Sequence, residues 1–218
     1  MDTFQEHPLL VSGPLVRAIL SGYKTQTRRL IRKPARAGVF DFEEAMKSAA
    51  ENGWWGAQKR GPEDGIEWRC ACPYGKPGDR LWVRETWRLT DFASYDTDRY
   101  SAAVEMRADG ARPFRKEGGP EMLHERWGWR PSIHMPRWAS RISLEVTDVR
   151  VQRLRDITDE DACAEGVTPD CRCEGGCDTC SREGADYFRD VWEALAPDGS
   201  KWADNPWVWA VSFKMVQP

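Results

Sequence analysis

No stretch of the 218-residue sequence approaches the twenty apolar residues that a helix needs to cross a membrane, so a helical membrane protein is not expected. The first residues, MDTFQEHPLLVSG, lack both the basic start and the long apolar core of a secretory leader, which points to a cytoplasmic protein. Internal repeats and low-complexity tails are also missing, so a solenoid or a disordered adaptor is not expected. The seven cysteines do not make an even set; with no export signal, that argues against a disulfide framework and for reduced or metal-bound thiols. From Pro14 to Arg36 there is no acidic residue at all, against seven basic ones: Arg17, Lys24, Arg28, Arg29, Arg32, Lys33 and Arg36. Such a patch attracts a phosphate or an electron-rich ring, while a net charge of −3 is wrong for a protein that coats long nucleic acid.

What is present is enough for one buried core. A hydrophobic share of 40% and a charged share of 31% are ordinary for a globular domain of this length. Twelve tryptophans are far more than usual; each brings a large apolar area, and some can stack on a nucleobase.

The segment PLVRAILSG places Leu15, Val16, Ile19 and Leu20 on one helical face, with Gly22 as its stop, and the basic segment is expected as the loop that follows. From about 33 to 68 the sequence is weakly periodic and reads as an insertion with one helix over 42–52. YGKPGDRLWVRETW reads as a Pro-Gly turn and then a strand, with Leu81, Val83 and Glu85 alternating against Trp82, Arg84 and Thr86. A second insertion, about 91–130, carries one hairpin. In SRISLEVTDVRVQRL the apolar phase breaks at Asp148, which predicts a bent or bulged strand. DITDEDACAEG predicts a helix with Thr158 as N-cap, acids in its first turn and Gly166 beyond its end. REGADYFRDVWEAL predicts a further helix, and NPWVWAVSFKMV a final strand. With no repeated strand-helix-strand rhythm, the pattern predicts an α+β single domain over 1–218, a small mixed β-barrel flanked by short helices.

Lys24 and Thr27 lie three apart with Arg28 and Arg29 beside them. A lysine acts as a general base only when its amine is neutral near pH 7, and burial or a neighbouring cation lowers its proton affinity. A neutral Lys24 can take the Thr27 hydroxyl proton and allow attack on a carbonyl. The competing reading is a basic turn whose threonines bond the local backbone.

Four stretches, LLVSGPLVRAILSGYKTQTRR, CPYGKPGDRLWVRETW, RPSIHMPRWASRISLEVTDVRVQRLRDITDEDACAEGV and NPWVWAVSFK, together resemble ASCH-domain proteins, particularly the longer forms of bacteria and their phages. The resemblance implies a PUA-like β-barrel. It also implies the chemistry of the compact N4-acetylcytidine amidohydrolases, which share the Gly-x-Lys-Thr-x-Thr helix exit and the Leu-x-Asp-x-Thr helix entry. Carried over by position, the catalytic lysine falls on Lys24, the threonine nucleophile on Thr27 and the glutamate on Glu165, nine residues beyond Asp156. The implied substrate is a modified pyrimidine nucleoside acylated on N4, with RNA as a further partner. Glu165 is expected to deliver a proton to the leaving nitrogen and, as a lesser role, to orient Lys24. Arg29 or a loop N–H is expected to stabilise the oxyanion. Arg84 and Glu85 are candidates to read the base edge and Trp82 or Trp87 to stack on it, with an ion pair or core packing as the alternative. The other functional classes are a non-enzymatic RNA-binding module that recognises a modified base, as PUA relatives do, and a ribonuclease.

CRCEGGCDTC sets Cys171, Cys173, Cys177 and Cys180 within ten residues, in a loop over 170–181. Four thiolates can close a tetrahedral shell around a structural zinc, with Cys70 and Cys72 as substitutes for two of them. The compact relatives lack this loop, so no cofactor is expected to be required for catalysis.

Overall fold

A computed structural model describes residues 4–32, 42–51, 56–60, 66–92, 101–116, 128–166 and 184–216. The chain enters through strand β1 (Glu6–Leu10) and turns into helix α1 (Gly13–Leu20), where Pro14 presets the first turn and Val16 and Ile19 form the buried stripe. The basic segment then forms strand β2 (Gln26–Leu30) rather than the expected loop. Helix α2 (Phe42–Glu51) matches the helix expected in the first insertion. A hairpin of β3 (Gly56–Arg60) and β4 (Ile66–Ala71) follows it, which the weak periodicity does not signal. Strand β5 (Arg80–Arg84) carries the alternation read from the sequence, with Leu81 and Val83 buried. Strands β6 (Trp87–Phe92), β7 (Ser101–Met106) and β8 (Gly110–Lys116) make a three-stranded antiparallel sheet, of which β7 and β8 are the expected hairpin. The chain continues through β9 (Ser143–Arg153), α3 (Asp159–Ala164), α4 (Gly184–Leu195) and β10 (Trp207–Val216).

The main sheet has the order β1-β5-β9-β10-β2, with β1 and β5 parallel and every other pair antiparallel. Strand β10 reads WVWAVSF because both of its faces are covered. Trp209, Val211 and Phe213 join Leu81, Val83 and Leu144 in the principal core, while Val208 packs with Leu154, Ile157, Ala162 and Phe188 beneath α3 and α4. The broken phase of β9 is a bulge: Ser212 pairs with Asp148 and Phe213 with Val146, so Thr147 is the extra residue. That bulge keeps both Leu144, Val146 and Val149, Val151 in the core despite their change of parity.

The architecture is α+β with few helices and one mixed five-stranded sheet. Among the described residues the ladders leave β1 and β2 as sheet edges, so this sheet does not close into the expected barrel. No helix among these residues is long and apolar enough to cross a membrane.

Candidate functional site

Two helix ends create the site. Gly22, with φ +80°, ends α1, and Gly166, with φ +69°, ends α3; both use the left-handed conformation that a side chain disfavours. Helix α3 begins as its sequence dictates, with the Thr158 hydroxyl accepting the Asp161 N–H at 3.2 Å and acids at 159, 160 and 161. The link after α1 is tied to both helices: the Lys24 N–H donates to the Ala18 carbonyl at 3.0 Å and the Thr25 N–H to the Ala164 carbonyl at 2.9 Å. The approach is so close that a Cβ on Gly166 would stand 2.7 Å from Lys24 Cβ and 3.0 Å from Ala18 Cβ.

This packing buries Lys24, whose side chain is 1% exposed. Its Nζ donates three hydrogen bonds, to the Gln26 carbonyl at 2.7 Å, the Glu165 carbonyl at 2.7 Å and Glu165 Oε2 at 2.8 Å. The Glu165 carbonyl is an acceptor left over at the end of α3. The Gln26 carbonyl lies on the open edge of β2, because the Thr25 carbonyl one step earlier takes the Phe213 N–H of β10 at 2.8 Å. Burial pushes the Lys24 amine below its ordinary value of 10.5, against the upward pull of the Glu165 charge and hydrogen bond; Arg29 and Arg28 add to the lowering.

Glu165 has a second cation. Arg28, fully buried, places Nη1 3.3 Å from Glu165 Oε1 and Nη2 2.6 Å from Asp161 Oδ2, and Nη1 also donates to Gln26 Oε1 at 2.5 Å. Asp161 further accepts from Gln26 at 3.1 Å and from Arg150 at 3.1 Å. Burial works against ionising Asp161, but the Arg28 charge, the Gln26 hydrogen bond and Arg150 outweigh it and hold its carboxyl below the usual range.

Gln26 and Arg28 touch each other and face α3 and α4, and Leu30 packs there too. Thr27 therefore faces the opposite side of β2, with Arg29 and with Ile31 of the principal core. Thr27 is buried at 4% exposure, and its peptide is the one whose carbonyl Lys24 Nζ holds. None of the three Nζ bonds goes to the Thr27 hydroxyl. Arg29 reaches along that face and donates to the Leu10 carbonyl at 2.6 Å. Lys24 and Glu165 are thus in direct contact at the edge of β2, while Thr27, one peptide away, turns its side chain to the other face of the strand.

Three of the residues expected to bind the base separate. Glu85 continues the inward phase of β5, is 1% exposed, and accepts two bonds from Arg141 at 2.9 and 3.0 Å, the third Arg141 bond going to Asp109 at 2.6 Å. It lines a cavity of about 310 Å³ with Gly13, Arg17, Thr86, Arg107 and Ala108, at the N-terminal end of α1. Lys24, at the other end of that helix, does not line it. Trp82 and Arg84 lie on the outer phase of β5, where the Arg84 guanidinium sits 5.3 Å from the Trp82 ring and donates to the Ile133 carbonyl. Cys171, Cys173, Cys177 and Cys180 lie outside the described residues, as does the rest of their loop. Among the described residues no group of three or more His, Cys, Asp or Glu is placed to hold a metal ion.

Sequence reasoning treats Arg28 only as a nearby cation and Asp161 only as a helix-start acid. Their pairing spans 133 positions, and its one local trace is the Gln26, Arg28 alternation of a strand whose polar face must be satisfied from elsewhere.

No family model matches the chain, and no curated protein is significantly similar to it. Among solved structures, the crystal structure of protein EF3133 from Enterococcus faecalis V583, of the family model DUF984, is similar over 99% of this chain and 83% of that one, with 13% identity and a TM-score of 0.37.

Proposed function

We propose that the chain is an amidohydrolase with a PUA-like fold of the ASCH type, acting in the cytoplasm on N4-acylated cytidine nucleosides. The observation that carries this reading is Lys24: a lysine side chain 1% exposed, held against a glutamate 141 positions away and against the peptide of a buried threonine. A buried amine whose proton affinity is reduced is what general-base activation of a threonine requires, and the Thr27 hydroxyl, one peptide away across β2, must shift to reach it.

In the proposed reaction Lys24 Nζ exchanges its Gln26 carbonyl for the Thr27 hydroxyl while keeping its Glu165 bond. The neutral amine takes the Thr27 proton as Oγ1 bonds to the acyl carbon. The tetrahedral oxyanion collapses with cleavage of the carbon–N4 bond, and the proton on Lys24 passes to N4, releasing cytidine. Water then attacks the Thr27 ester with Lys24 again as base, and carboxylic acid leaves. Arg29, on the Thr27 face, is the residue assigned to the oxyanion. The contact between Glu165 and Lys24 favours orientation of the amine as the chief role of Glu165, ahead of the separate proton delivery expected from sequence. Structural zinc in the cysteine loop and RNA as a partner belong to the same reading.

The test is the ultraviolet absorbance of N4-acetylcytidine mixed with purified protein. Conversion to cytidine that is lost in Lys24→Ala and Thr27→Ala supports the hydrolase. RNA binding that survives both substitutions, without turnover, supports the recognition module in its place.

A further inference from the structure

The ion-pair network behind Lys24 is larger than the proposed reaction needs. Arg28 has a side chain with no exposed surface and Glu165 is 5% exposed, so the pair sits where uncompensated charge is costly. The Arg28 fork divides between two acids of α3: Asp161 in the first turn at 2.6 Å and Glu165 beyond the last turn at 3.3 Å. Its guanidinium carbon lies over the Phe188 ring of α4, 5.8 Å from the ring centre. A lysine at this position has one donor group and cannot span both acids with fixed geometry.

We propose that Arg28, anchored by Asp161, is a positioning residue that fixes the Glu165 carboxylate against the Lys24 amine and keeps a second positive charge beside it. The proposal rests on the hydrolase reading only for its catalytic meaning; the placement itself concerns the resting protein. The charged groups linked to the amine are Glu165 and Asp161 from α3 and its C-cap, Arg28 and Arg29 from β2, and Arg150 from β9, which bonds Asp161 at 3.1 Å and Asp148 at 3.2 Å; Asp159 and Glu160 of α3 and Arg17 of α1 lie on the same elements without a bond to this network. Removing the Arg28 charge raises the proton affinity of Lys24 in two ways. A like charge disappears, and Glu165 is left to Lys24 alone. Removing the Asp161 charge acts in the opposite sense, because an anion is lost and Arg28 turns more fully to Glu165.

The experiment is the titration of the Lys24 amine by NMR in protein carrying isotope-labelled lysine, with the Lys24 signal assigned by its loss in Lys24→Ala. The midpoint moves up in Arg28→Met and down in Asp161→Asn relative to wild type. Arg28→Lys keeps the midpoint near wild type while kcat on N4-acetylcytidine falls about tenfold at unchanged KM, because charge is retained and orientation lost. Midpoints that do not move in Arg28→Met and Asp161→Asn overturn the proposal. Should Arg28→Met fail to fold, the downward shift in Asp161→Asn decides alone, and its absence refutes the proposal. A wild-type protein inert toward N4-acetylcytidine ends the hydrolase reading and leaves the titration result standing; an active enzyme with unmoved midpoints does the reverse.

Discussion

Replacing Gly166 by alanine tests the packing of the site without removing any charged group. Gly166 and Gly22 both sit just past a helix end with φ of +69° and +80°, so alanine meets the same backbone penalty at each, about 1–2 kcal/mol. They differ in what the new methyl meets. At Gly22 there is nothing within 4 Å, whereas at Gly166 Lys24 Cβ stands at 2.7 Å, Ala18 Cβ at 3.0 Å and Lys24 Cα at 3.3 Å. Those atoms belong to backbone or to its first carbon and cannot swing aside, so the overlap adds about 1–3 kcal/mol. Gly166→Ala should therefore lose about 2–5 kcal/mol in urea unfolding and Gly22→Ala about 1–2 kcal/mol. Because the stem of Lys24 is what moves, turnover of N4-acetylcytidine by Gly166→Ala should fall on the order of a hundredfold, while Gly22→Ala keeps most of its activity. Equal stability losses and equal turnover in the two variants would refute the argument.

Three further outcomes are expected. Asp79, 3% exposed, accepts the Gln5 and Lys76 backbone N–H groups at 2.9 and 3.0 Å, and Asp79→Asn should cost about 1–3 kcal/mol at neutral pH. Burial raises the Asp79 carboxyl, but these hydrogen bonds and the His7 and Lys76 charges outweigh it and lower its value. Its stabilisation is thus fully present above the unfolded-state value and is lost as pH falls through the lower folded-state value; a wild-type-minus-variant difference that grows toward acid contradicts this. Glu85→Gln, by leaving half of the Arg141 fork unmatched, should lower stability by about 3 kcal/mol, and a change within error in urea unfolding tells against a buried pair there. Metal analysis of protein purified without added metal should find about one equivalent of zinc, abolished by Cys177→Ser with Cys180→Ser; less than about half an equivalent in the unmodified protein argues against the cysteine site.

What the sequence discloses follows from the range of the interactions. Helices α1 and α3 are legible because their stops and caps are local: Gly22, Thr158 and Gly166 lie within a few residues of the turns they shape. The bulge of β9 is legible in the broken phase at Asp148, since a buried face must keep its apolar residues whatever the backbone does. Strand β2 is not legible. Gln26, Thr27 and Arg28 carry no apolar alternation, and they become strand through pairing with β10 and through acids supplied by α3. The same range separates the site residues. The spacing of Lys24 and Thr27 also fits a basic turn and gains its catalytic reading from the resemblance, Glu165 is named only by resemblance, and the Arg28–Asp161 pair needs the fold. For β5 the alternation correctly sends Glu85 inward, but which of Trp82, Arg84 and Glu85 share a cavity depends on the sheet's neighbours, α1 and the β7–β8 turn.

The most direct measurement is peptide mapping by mass spectrometry after the reaction with N4-acetylcytidine is quenched in acid. The account predicts an acetyl group on Thr27 in wild-type protein and none in Lys24→Ala. Turnover with Thr27 never acetylated, or full turnover by Thr27→Ala, would contradict it.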